Sequence, residues 1–263
     1  MNSFRGVGVL AVGFVCSSVA PAQEKPQYLR VQCVKMAEGK AADFESIIPD
    51  NRKIAKVRVD SGRETFSVLA RTVYPGGRSA TCDYHFVDGF DGFPPEASQE
   101  QAQADFQKAG IAMTQPDYRA KLNAVGYLVR QEIWISRAGI GSVQKGGYVR
   151  INYNKVKQEM AADYVKWETT GWKLLAEAAA KEVPGTSWGL YTLVVPGGSE
   201  QPYNTMTVDG FPGWDAMGKG LPVRQLWTKV HPDVDFTEHM QKLSTLADRT
   251  RIEVFRVVDV IRK

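Results

Sequence analysis

The second half of this chain repeats the first. Tyr28-Leu29-Arg30-Val31 returns as Tyr148-Val149-Arg150-Ile151, and Ala41-Ala42-Asp43-Phe44 as Ala161-Ala162-Asp163-Tyr164. Further along, Pro75-Gly76-Gly77 returns as Pro196-Gly197-Gly198, and Val87-Asp88-Gly89-Phe90 as Val208-Asp209-Gly210-Phe211. Arg130-Gln131-Glu132-Ile133-Trp134 returns as Arg251-Ile252-Glu253-Val254-Phe255. The offset is 120 for the first two pairs and 121 for the others, so one residue is inserted between the first helix and the next strand of the second copy. A near-constant offset over most of a chain means two copies of one domain.

The segment ahead of the repeats reads as an export signal. Arg5 precedes an apolar run from Val7 to Val15, too short to span a bilayer, and Ala20-Pro21-Ala22 supplies a small-residue cleavage site. Residues 1–22 are therefore expected to be removed, leaving a secreted or periplasmic protein with no membrane association. Without Arg5 the net charge is +3, with both signs well mixed and no basic run, so nucleic acid is not an expected partner. Two cysteines, Cys33 and Cys82, remain after cleavage. In an exported chain they are disulfide candidates; the alternative is two small buried thiols.

Each copy reads as strand, helix, two strands, helix, strand, with units over 27–137 and 147–263. In the first, strands are expected at Tyr28–Met36, Phe66–Tyr74, Thr81–Asp88 and Val129–Ser136, with Pro75-Gly76-Gly77 turning a hairpin. Pro49 predicts a kink or break in the helix from about Lys40 to Val59, whereas its counterpart follows a clean 3-4 spacing through Tyr164, Trp167, Gly171, Leu174, Leu175 and Ala178. Ser136–Gly141 reads as a linker between units, and Asp88-Gly89-Phe90 as a turn into the second helix.

A βαββαβ order is ferredoxin-like, and its sheet carries helices on one face only. A tandem copy can cover the other face. The fold class expected is α+β, two tandem ferredoxin-like units closing an intramolecular, pseudo-dimeric α/β barrel. In this the chain resembles the dimeric α/β-barrel superfamily of antibiotic-biosynthesis-type monooxygenases, NIPSNAP-like proteins and chlorite-dismutase-like haem proteins. It is most similar to uncharacterised exported bacterial members whose units carry features matching Tyr164, Trp167, Trp172, Trp188 and Pro196-Gly197-Gly198 here. The resemblance implies that strand one of each unit lies between strands three and four. It also implies that a histidine could serve as base or haem ligand.

Strand alternation proposes which side chains line the space between the sheets. The more polar faces carry Arg30, Gln32, Asp83, His85, Arg130, Glu132 and Trp134 in the first unit. In the second they carry Arg150, Asn152, Asn154, Asn204, Met206, Arg251, Glu253 and Phe255. Read functionally, Arg30, His85, Glu132, Arg150 and Glu253 border a cavity for a small organic ligand. Read structurally, Arg30 with Glu132 and Arg150 with Glu253 are paired charges satisfying each other. His85 breaks the symmetry, since its counterpart is Met206, and it is the one candidate for catalysis. No nucleophile elbow, phosphate loop, dinucleotide fingerprint or metal-ligand spacing occurs. The expected function is small-molecule binding or scaffolding without a cofactor, in a monomer or homodimer. The alternative is a monooxygenase-type or haem-dependent oxidoreductase centred on His85 and a wall of Arg30 and Trp134.

Overall fold

A computed structural model describes residues 27–263; the expected leader lies outside the described residues. The first unit runs β1 (Gln27–Met36), α1 (Ala41–Asp60), β2 (Phe66–Tyr74), β3 (Tyr84–Asp91), α2 (Gln99–Lys108), α3 (Gln115–Val125) and β4 (Gly126–Ile140). The second runs β5 (Tyr148–Val156), α4 (Ala161–Trp167), a π-helical turn (Glu168–Trp172), α5 (Lys173–Glu182), β6 (Ser187–Val195) and β7 (Thr205–Phe211). It ends with α6 (Trp214–Lys219), α7 (Val223–Val230), α8 (Phe236–Leu246) and β8 (Ala247–Arg262). No helix among the described residues is long and apolar enough to cross a membrane.

The eight strands form one closed antiparallel barrel in the order β1-β3-β2-β8-β5-β7-β6-β4, with β4 pairing back onto β1. Within each unit the first strand lies between the third and fourth, as the resemblance implied. The units join edge to edge, β2 on β8 and β4 on β6, so among the described residues no edge strand is left to pair with another chain. Closure turns the helix-free faces inward and leaves all helices outside. On the first unit, Phe44, Ile47 and Ile54 of α1 pack with Leu69, Tyr84, Phe106 and Tyr118. On the second, Tyr164 and Ala176 pack with Trp188, Leu190, Leu243 and Leu246.

Both seams are made by segments that local sequence reads differently. Ser136–Gly141, expected as a linker, is mostly strand: Ser136, Ala138, Gly139 and Ile140 pair with Tyr191, Leu190, Gly189 and Trp188. The end of β8 does the same work, from Val257 opposite Ala70 to Arg262 opposite Phe66. Asp88-Gly89-Phe90 lies inside β3 and is not a turn. A Cβ on Gly89 would stand 2.3 Å from the Phe66 ring, so the glycine makes room for a neighbouring side chain.

The first helices also reverse expectation. α1 continues through Pro49. Proline costs it one backbone hydrogen bond, a loss compatible with the buried face of Phe44, Ile47 and Ile54 holding the helix to the sheet. Its counterpart, the cleaner pattern by sequence, is interrupted by the π turn at Glu168–Trp172. A π turn holds one more residue than an α turn. It therefore absorbs the single residue by which the second copy is longer before its next strand.

Candidate functional site

Inside the barrel lies a cavity of about 380 Å³, near the lower end of the roughly 300–1,000 Å³ typical of small-molecule sites. Its wall is apolar: Leu29, Val31, Val68, Val87, Val149, Ile151, Val208 and Val257, with Phe66 and Met206. Its mouth lies at the starts of β1 and β5, where Gln27, Ile140, Ser142, Val143 and Arg262 meet. Arg262 reaches across that rim, donating to the Val143 carbonyl at 3.0 Å and to the Ser142 hydroxyl.

The lumen is therefore lined by the apolar faces of β1 and β5, opposite to the expected polar ones. Strand pairing explains why: Leu29, Val31 and Cys33 sit opposite Trp134, Glu132 and Arg130, and these residues share one face. Arg30 and Arg150 point outward. Arg30 pairs with Asp88 at 2.8 Å and Glu64 at 3.2 Å, and Arg150 with Asp209 at 2.9 Å. Gln32 bonds Gln131, and Asn152 bonds Thr207 and Asp209, on the same outer side. The expected pairs Arg30–Glu132 and Arg150–Glu253 do not form. Arginine and glutamate recur in both copies, but on opposite faces of the sheet. Closure turns Leu29, Val31, Val149 and Ile151 toward the lumen, while Arg30 and Arg150 stay partly exposed on the outer face beside their carboxylates.

Of the five residues expected to share one space, the structure brings together His85, Glu132 and Glu253. They lie at the inner end of the lumen with Arg130 and Arg251. Glu132 accepts from Tyr203 Oη at 2.5 Å and Trp134 Nε1 at 3.2 Å, and lies 3.3 Å from Arg130 Nε. Glu253 pairs with Arg251 and lies 3.8 Å from Arg130. Tyr153 sits between the two arginines, each guanidinium carbon 5.8 Å from its ring centre, and its hydroxyl accepts from Arg130 at 3.4 Å. Both glutamates are buried while the arginines reach the barrel end, so the charges cancel within one cluster. Burial, then Glu253, holds the Tyr153 phenol well above its usual range.

His85 is only 3% exposed and lines the cavity. Its ring stands edge-on to Phe255 at 4.5 Å, and neither ring nitrogen has a hydrogen-bond partner among the described residues. Burial pushes its pKa down to about 3, helped by Arg130 and Arg251, so the imidazole is neutral. Cys33 and Cys82 form a disulfide, with Cα atoms 5.4 Å apart. Cys33 sits opposite His85 on the lumen face of β1, and Cys82 reaches it from the segment just before β3.

Sequence reasoning missed Tyr153, Tyr191 and Tyr203. The signal was present: Tyr153 alternates with Val149 and Ile151, and it becomes visible once the apolar face is taken as the lumen. His231 and His239 converge outside the barrel around Trp227, His239 also against Trp167. Gly171 of the π turn admits them, since a Cβ there would lie 2.6 Å from the His239 ring.

Haem does not fit the lumen. A tetrapyrrole needs an axial nitrogen clear of neighbours over its whole face. The His85 ring is enclosed at the inner end of a narrow apolar chamber, and Phe255 stands against it. Of the residues lining the cavity, the single cation is Arg262, which already straps the mouth.

No family model and no curated protein matches this chain. Solved structures do resemble it. A candidate monooxygenase from Lactobacillus acidophilus aligns at TM-score 0.55 with 9% identity, covering 90% of this chain and 96% of that one. A candidate monooxygenase from Fusobacterium nucleatum aligns at 0.54 with 11% identity, covering 92% and 96%. An anthrone oxidase-like protein aligns at 0.50 with 11% identity, covering 91% and 94%. Such likeness at such identities speaks of architecture alone, and with the closed sheet and its strand order it is decisive on that point: the chain has the dimeric α/β-barrel fold, with both halves of the barrel carried on one polypeptide.

Proposed function

We propose that the protein binds a small, mainly apolar organic molecule in the barrel lumen, with a polar group of that molecule meeting His85 at the inner end. The observation that carries this reading is the His85 ring: a neutral, buried imidazole with both nitrogens unpartnered on the wall of a cavity. Unsatisfied buried polar groups cost about 1–3 kcal/mol each, and a ligand hydroxyl or carbonyl would offset that cost. The valine-rich wall supplies shape and apolar contact, and the ion cluster behind His85 keeps the inner end polar. Isothermal titration with a panel of phenolic and polycyclic compounds tests this. Binding by the wild type that weakens at least about tenfold in His85→Met supports the reading. Equal affinity in both overturns it.

A second reading, monooxygenase-type chemistry, draws on the same imidazole and on the names of the two candidate monooxygenases that share the fold. A neutral ring with a free acceptor nitrogen beside a bound phenol is placed to accept the phenol's hydrogen bond and so hold its ring in one orientation. Arg30 has no part in this, since it lies on the outer face. Oxygen consumption on adding a ligand that binds, lost in His85→Met, separates turnover from binding.

A further inference from the structure

The Cys33–Cys82 disulfide has an unusual neighbour. One ligand-capable atom from each of Cys33, Cys82 and His85 lies within 4.8 Å of the other two, and all three residues are buried. Bonds of about 2.3 Å to sulfur and about 2.0–2.1 Å to nitrogen place tetrahedral ligand atoms about 3.5–4 Å apart. The three atoms can reach that spacing by small side-chain rotations once the sulfurs are no longer bonded. The imidazole is already stripped of competitors, because neither nitrogen is engaged by any group among the described residues. Two strands and the segment before β3 hold the three backbones in register, with Cys33 directly opposite His85.

We propose that Cys33, Cys82 and His85 form a redox-gated site for a thiophilic dication of the zinc class, closed while the disulfide stands and opened when a dithiol reductant cleaves it. In the opening step the reductant's two thiols become a disulfide. Two electrons and two protons pass to the sulfurs of Cys33 and Cys82, the bond between them breaks, and two thiols result. The dication then displaces both protons to solvent as two sulfur–metal bonds and one nitrogen–metal bond form. Charge favours a dication: two thiolates neutralise it, and the nearby Arg130 and Arg251 are already balanced by Glu132 and Glu253. Thiolate and imidazole together select zinc-like over oxygen-seeking cations. Three protein ligands leave a fourth position, which water or a molecule in the lumen can take. This site does not depend on the binding reading above, which concerns the oxidised protein.

The test uses the chain with Cys16→Ser, so that Cys33 and Cys82 are its only thiols, reduced by a phosphine under anaerobic conditions and titrated with Co²⁺. The expected result is one equivalent bound, with sulfur-to-cobalt charge-transfer absorption and the strong visible bands of a tetrahedral site, all displaced by Zn²⁺. The oxidised protein and a Cys33→Ser/Cys82→Ser variant should show none of these bands. His85→Met should keep the sulfur bands but bind at least about tenfold more weakly, since losing even an outer-shell partner costs about 10–100-fold. A reduced, folded protein without sulfur-to-cobalt absorption would overturn the proposal, as would His85→Met of undiminished affinity. If reduction unfolds the barrel, Zn²⁺ must restore the native near-ultraviolet dichroism; failure to do so counts equally against the site.

Discussion

Replacing His85 with methionine should make the protein more stable while removing its ligand site. Met206 occupies the related position of the second unit and lines the same cavity, so the substitution imposes a side chain that this barrel wall already accepts. The two are similar in volume, and the edge-on contact of His85 with Phe255 is exchanged for a sulfur–aromatic contact of comparable worth, about 0.3–1.5 kcal/mol. What remains is the cost of two unpartnered ring nitrogens in a residue 3% exposed. Removing an unsatisfied buried group recovers about 1–3 kcal/mol. For a domain of this size each kcal/mol moves Tm by about 2–4 °C, so His85→Met should melt about 2–12 °C higher. Differential scanning calorimetry at pH 7.5 measures this directly. A Tm equal to or below that of the wild type would refute the reasoning, because it would mean that the ring nitrogens are satisfied in the native protein.

Glu253→Ala should destabilise by about 3–5 kcal/mol in urea unfolding, since it leaves Arg251 and Arg130 beside Tyr153 with a single carboxylate between them. Arg150→Met should cost less than about 1 kcal/mol and leave lumen binding intact, because its ion pair with Asp209 is half exposed on the outer face. His239 is buried against Trp227, and burial, then His231, lowers its pKa from 6.5 to about 4. The unfolded chain takes up this proton first, so stability is highest above pH 6.5 and falls as pH drops toward 4, and His239→Gln should flatten the acid limb of a Tm-against-pH profile. Glu168 in the π turn has the opposite sign: burial raises its pKa from 4.5 to about 7, so stability is lost as pH rises through 7. Glu168→Gln should raise Tm at pH 8.5 and change it little at pH 5.

Repetition and element order were legible from residues alone, because a strand's period of two and a helix's period of 3.6 are local properties. A βαββαβ unit with one bare sheet face then has to find a second sheet, and the tandem copy is the nearest one. The disulfide pair was legible as a candidate from the cysteine count and the expected leader. Local pattern could not say which face of β1 looks inward. Leu29-Val31-Cys33 and Arg30-Gln32 alternate equally well either way, and a barrel covered by helices buries both faces to some degree. Only the pairing register settles it, by setting Val31 against Glu132 and Arg30 against Asp88. The seams were hidden for the same reason: Ser136–Gly141 has a linker's composition and becomes strand because the edge of β6 needs a partner. The π turn was written in the sequence as one extra residue, but where a helix absorbs an insertion depends on what packs against it, here His239 and Trp227 beside Gly171. Chain chemistry thus determined the units, while closure of the sheet decided that His85 faces a cavity and that Arg30 and Arg150 lie on the outer face, paired with Asp88 and Asp209.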